Sequence, residues 1–152
     1  MGFMHRGKLI HRLDHDLVRE AIRQAEKACG GEVRVSISRY FWGRVRPAAE
    51  RAFRRLGMTR TKDRNGILFF IVPSRRRFVV LGDEGIHAKV GQEFWDGIAA
   101  AMSEDFRKGE FTAGLLRGIA KASEGLAAHF PCRPGSDVNE LPDEIDDSGT
   151  GE

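Results

Sequence analysis

The chain has 152 residues, 41% hydrophobic and 31% charged, which fits one domain around a single core. No stretch approaches the roughly 20 apolar residues of a membrane span, and the first thirteen residues lack a continuous signal-type apolar core. Both observations argue against membrane insertion and point to the cytoplasm. The net charge of +3 hides a split: residues 136–152 hold seven acids and no base, and the remaining body carries 25 bases against 15 acids.

Residues 1–13 read as an N-terminal extension. Asp14 or Asp16 is placed to cap a helix whose Leu17, Val18, Ala21, Ile22, Ala25 and Ala28 share one face. Gly30-Gly31 ends it. Glu32 to Ser38 alternates with period two, the pattern of a half-buried strand. Pro47 suits the first turn of a second helix, with Ala48, Ala52, Phe53 and Leu56 inward, arginines outward and Gly57 as the stop.

Ile67 to Val72 is a continuous apolar run, the mark of a strand covered on both faces. Phe78 to Leu81 is its hairpin partner across Pro73-Ser74-Arg75-Arg76-Arg77. From Gln92 a third helix carries Phe94, Trp95, Ile98, Met102 and Phe106 at helical spacing, and Gly109 breaks it. A fourth helix from Thr112 carries Leu115, Leu116, Ile119, Ala122, Leu126 and Phe130. Residues 131–152 read as an acidic irregular tail, with Leu141-Pro142 as its docking point. Cys29 and Cys132 have no ligand spacing and read as two unpaired thiols.

The order helix-strand-helix-strand-strand-helix-helix predicts an α/β fold. It is a three-layer α/β/α sandwich over residues 14–130 with a small mixed sheet. A strand–helix–strand crossover makes the first two strands parallel, and the hairpin makes the third antiparallel. Glu32, Asp63, Asn65, Asp83, Glu84 and His87 then share one end of the sheet. Arg39, Arg44 and Arg75 to Arg77 lie at the other. Acids and bases are sorted to opposite poles.

At the acidic pole, Glu32, Asp63, Asp83 and Glu84 are hard oxygen donors suited to Ca²⁺ or Mg²⁺. Turn chemistry is the competing use: Asp63 and Asn65 shape a turn, and Asp83 caps the segment that follows. His87 is the candidate proton donor, with a plain hydrogen-bonding role as its alternative. Asp14-His15-Asp16 superficially fits an aspartyl-phosphate phosphatase motif, but it opens an amphipathic helix and reads as a cap. No Walker loop, GxGxxG, GxSxG or Cys-x₅-Arg loop occurs, so no organic cofactor is expected. At the basic pole, Arg39, Tyr40, Phe41, Trp42, Arg44, Arg75, Arg76 and Arg77 form a candidate interaction patch.

Three ordered segments resemble the TPM domain family. They are Gly31-Glu32-Val33, Lys62-Asp63-Arg64-Asn65-Gly66-Ile67-Leu68 and Leu81-Gly82-Asp83-Glu84-Gly85-Ile86-His87. Phe106-Arg107-Lys108-Gly109-Glu110-Phe111 followed by Gly114-Leu115-Leu116 is similar to that family's closing segment. The resemblance covers about residues 14–130 and implies a central sheet sandwiched by helices. It also implies Ca²⁺ binding through loop acids, with Asp63 matching the acid of the family's D-N-G segment and Glu32 its early acid. Weak acid phosphatase activity and accessory roles in membrane-linked complexes are further implications. The family's usual Gly-Tyr-Gly-Leu-Glu-Gly run is replaced here by Gly82-Asp83-Glu84-Gly85-Ile86-His87, and the signal peptide and membrane anchor of many members are not evident.

The resulting expectation is a cytoplasmic accessory or interaction domain whose partner is another protein or complex. Its acidic loops would take a divalent cation, and its acidic tail would dock on its own basic body. Metal-assisted phosphatase chemistry is the alternative. Binding of nucleic acid or anionic surfaces through the basic face is the third reading.

Overall fold

The computed structural model describes residues 13–28, 30–38, 42–131 and 145–149. Helix α1 (His15–Ala28) is followed by strand β1 (Glu32–Ser38) and helix α2 (Val45–Arg55). The hairpin of β2 (Gly66–Val72) and β3 (Arg77–Gly82) comes next, then α3 (Glu84–Val90), α4 (Gln92–Arg107), α5 (Phe111–His129) and β4 (Ile145–Gly149). The sheet order is β3-β2-β1-β4.

The parallel and antiparallel pairings agree with the sequence reading. β1 and β2 run parallel from Glu32↔Gly66 to Ile37↔Ile71, and β2 and β3 run antiparallel from Ile67↔Gly82 to Val72↔Arg77. Asp14 caps α1 through its carboxylate, which accepts from the Leu17 N–H at 3.2 Å. Val18, Ile22 and Ala25, spaced four and three apart, are the buried positions of that helix.

The two faces of the sheet carry separate cores. Val33, Val35, Ile37, Ile67, Phe69 and Ile71 pack beneath α1, α3, α4 and α5. On the other face Leu68, Phe70 and Val72 pack beneath α2 and Met58. All seven residues of β2 are buried, as its unbroken apolar run requires. Each fully buried Ile, Leu or Phe removes enough apolar surface to contribute about 1.5–3 kcal/mol.

Three features depart from the sequence reading. β1 is buried along its whole length, polar positions included, and lies inside the sheet between β2 and β4. Residues 145–149, assigned to the irregular tail, form β4 parallel to β1. The Ser36 hydroxyl donates to Asp146 at 2.9 Å, and Arg55 of α2 pairs with the same carboxylate at 3.2 Å. Finally, the segment after Gly82 is a helix rather than a loop, with Asp83 as its N-cap. Cys29, Cys132 and Leu141-Pro142 lie outside the described residues. Among the described residues, no helix is long and apolar enough to cross a membrane.

Candidate functional site

The acidic pole is assembled by a tight turn clasped to a helix start. After the 3-10 turn Met58–Arg60, Arg64 adopts a left-handed backbone at φ 51°. Its N–H reaches the Thr61 carbonyl at 3.2 Å, and the Asn65 N–H donates to the Thr61 hydroxyl at 3.2 Å. The buried Asn65 side chain donates to the Gly30 carbonyl at 3.1 Å, tying the entry of β1 to the entry of β2. The Arg64 carbonyl accepts from the Ile86 N–H in the first turn of α3 at 3.2 Å, and the Asp83 N–H donates to the Gly66 carbonyl at 2.9 Å.

Gly85 makes this clasp possible. A Cβ there would stand 2.1 Å from the Asp63 carbonyl oxygen and 2.6 Å from that of Arg64. Only a residue without a side chain lets the two segments approach so closely.

The charge at the pole is settled by Arg64. Its Nε donates to Asp83 Oδ2 at 2.6 Å and its Nη2 to Asp83 Oδ1 at 2.9 Å, a fork-to-fork pairing; Nη1 reaches Glu84 Oε2 at 3.3 Å. Asp83 Oδ1 also accepts the Glu84 N–H at 2.8 Å. The hydrogen bonds to Asp83 hold the guanidinium above its ordinary value, against partial desolvation, and the Asp83 and Glu84 charges add to this.

The residues singled out from sequence therefore have these places. Asp83 is buried and serves as both helix cap and guanidinium acceptor, while Glu84 is exposed on the rim of the same pair. Asp63 is exposed on the turn, and Glu32 is buried at the start of β1 beside Gly66. Among the described residues no three His, Cys, Asp or Glu side chains converge as a metal-holding group. His87 is exposed, and its Nδ1 accepts the Trp95 indole N–H at 2.8 Å. In that bond Nδ1 serves as the acceptor. Arg64, which makes these pairings, stands inside the Asp63-Arg64-Asn65-Gly66 run but is not among the residues the sequence singles out.

At the opposite pole, Trp42, Arg44, Arg75, Arg76 and Arg77 line one cleft of about 830 Å³, joined by Arg46. Arg75 donates to the Gly43 carbonyl, and Arg76 to the Arg107 carbonyl at 2.9 Å. Arg39, Tyr40 and Phe41 lie outside the described residues.

Comparison with known proteins gives a consistent picture. The family model described as TPM domain matches residues 6–124. The NMR structure of BA42 protein from the psychrophilic bacterium Bizionia argentinensis sp. nov. superposes with a TM-score of 0.80 at 37% identity, over 89% of this chain and 92% of that one. The solution NMR structure of the N-terminal domain of a protein from P. gingivalis superposes at 0.63 with 19% identity, over 76% and 74% of the two chains, a likeness of fold alone. No curated protein matches the chain.

Proposed function

The chain belongs to the TPM domain family, and on that footing we propose that it is a cytoplasmic accessory domain for another protein or complex, with its acidic pole latched by its own arginine. The observation that carries this reading is the two-pronged grip of Arg64 on Asp83. Metal-assisted phosphate hydrolysis needs carboxylates free to hold a cation that polarises the phosphoryl oxygen and activates water. Here Asp83 gives one oxygen to Arg64 and shares the other between Arg64 and the helix start. The Nδ1 of His87 is committed to Trp95. The groups that hydrolysis would recruit are engaged in holding the turn, the helix and the hairpin together.

A divalent cation enters this pole in exchange for Arg64, taking hard oxygen ligands from Asp83, Glu84 and Asp63. The exchange makes binding weak, because the cation must displace an ion pair that is already satisfied. Calorimetric titration with Ca²⁺ and Mg²⁺ tests the exchange: weak heat in the wild type, tighter binding in Arg64→Ala, and none in Asp83→Asn. Absence of heat in both the wild type and Arg64→Ala removes the cation from the account. Hydrolysis of p-nitrophenyl phosphate that requires metal and disappears in Asp83→Asn would replace the accessory reading with a phosphatase.

A further inference from the structure

The cleft at the basic pole has a position and a lining that the acidic pole does not explain. In open α/β sheets, ligands sit outside the carboxyl ends of the parallel strands. β1 ends at Ser38 and β2 at Val72, and the cleft is built from the segments that follow them, Trp42 to Pro47 and Arg75 to Val79. Ala99 and Ser103 of α4 close its side, and among the described residues no acid lines it.

Among the described residues five arginines surround this space, and three of them, Arg44, Arg46 and Arg77, enter no ion pair. Guanidinium groups with no ion pair among the described residues, around a concavity that no described acid lines, attract an anion with several oxygens, phosphate above all. The first turn of α2 lines the same wall and contains no acid, so its positive end adds to the field.

Trp42 makes the ligand more specific. Its side chain is 82% exposed, far more than the buried Trp95 at 8%. A bare indole beside arginines offers a flat face on which a base stacks, a contact that simple phosphate cannot use. An acidic peptide would satisfy the arginines but gives no reason for the exposed ring.

We propose that the cleft binds a nucleotide, taking its phosphate on Arg44, Arg46 and Arg77 and stacking its base on Trp42. The ligand is either a free nucleotide or a unit of a single strand. This inference is independent of the cation exchange at the other pole, and Asp83→Asn leaves it untouched.

The test uses the full chain and fluorescence anisotropy of a labelled short oligouridylate. With three phosphate contacts, raising salt from about 50 to about 200 mM weakens binding about twenty-fold. Trp42→Ala weakens it at least about five-fold, the lower bound of one stacked base. Trp42→Phe retains most of the binding, and the double change Arg44→Ala with Arg77→Ala flattens the salt dependence. Competition by uridine monophosphate assigns a free-nucleotide site, and competition only by unlabelled oligomer assigns a strand site; either upholds the proposal. The proposal is overturned if the oligomer does not bind at the lower salt, if Trp42→Ala binds like wild type, or if polyglutamate or inorganic phosphate competes as well as the oligomer.

Discussion

Replacing Gly85 by alanine should destabilise the domain by about 2 kcal/mol, and the same replacement at Gly97 should do the reverse. At Gly85 the new methyl meets two main-chain oxygens, Asp63 O at 2.1 Å and Arg64 O at 2.6 Å. Neither can move without dragging the turn away from α3. Overpacking of this kind costs about 1–3 kcal/mol. Losing the Ile86 N–H to Arg64 carbonyl bond adds about 0.5–1.5 kcal/mol, while the better helix propensity of alanine returns at most about 1 kcal/mol.

At Gly97, in the middle of α4, a Cβ meets nothing within 4 Å. Only the propensity gain of about 1 kcal/mol applies there. Urea denaturation followed by circular dichroism reads both, and a loss of about 2 kcal/mol corresponds to roughly 4–8 °C in melting temperature for a chain of this size. Gly85→Ala as stable as wild type would refute the clasp between the turn and α3. Destabilisation by Gly97→Ala equal to that of Gly85→Ala would show that the contacts at Gly85 are not the cause.

Other predictions follow from the same geometry. Asn65→Ala removes the buried amide that reaches the Gly30 carbonyl and should cost about 1–2 kcal/mol in the same denaturation assay. Gly91→Ala meets no neighbouring atom, but its φ of 74° and ψ of 178° are a glycine conformation. It should lose about 1–3 kcal/mol from backbone strain alone, without disturbing NMR shifts in the core. Hydrogen bonding from Arg107, helped by the charges of Arg107 and Lys108, holds Glu104 below its ordinary 4.5. Its contribution to stability is therefore complete above that ordinary value and is lost as pH falls through the lowered one. An NMR titration should place its midpoint below 4.5 and return it toward that value in Arg107→Ala.

The pattern of apolar residues made most of the architecture legible. The unbroken run Ile67 to Val72 and the alternation from Glu32 to Ser38 identified two central strands, and chain order then gave their directions. β4 escaped because Ile145-Asp146-Asp147-Ser148-Gly149 has one apolar residue, and its pairing depends on an edge that β1 supplies from far away in sequence. α3 escaped because it is seven residues long and Ile86 is its buried position, too little for a period to emerge.

The candidate site was half legible. The sorting of acids and bases to opposite poles follows from topology, and the reading of Asp83 as a cap is the one the structure displays. The grouping of acids at one pole ignored the base among them. Arg64 and Asp83 are nineteen residues apart, and only the hairpin register and the left-handed turn at Arg64 bring guanidinium and carboxylate together. On the other pole, Trp42, Arg44 and Arg75 to Arg77 read as a patch in the sequence, and the fold brings them around one cleft.

The central claim is that Arg64 closes the acidic pole, and NMR of its side-chain Nε–H in the wild type, in Asp83→Asn and with added Ca²⁺ tests it most directly. A slowly exchanging, hydrogen-bonded Nε–H in the wild type is predicted, lost in Asp83→Asn and released progressively as Ca²⁺ is added. A rapidly exchanging Nε–H in the wild type, unchanged by Asp83→Asn, would contradict the account.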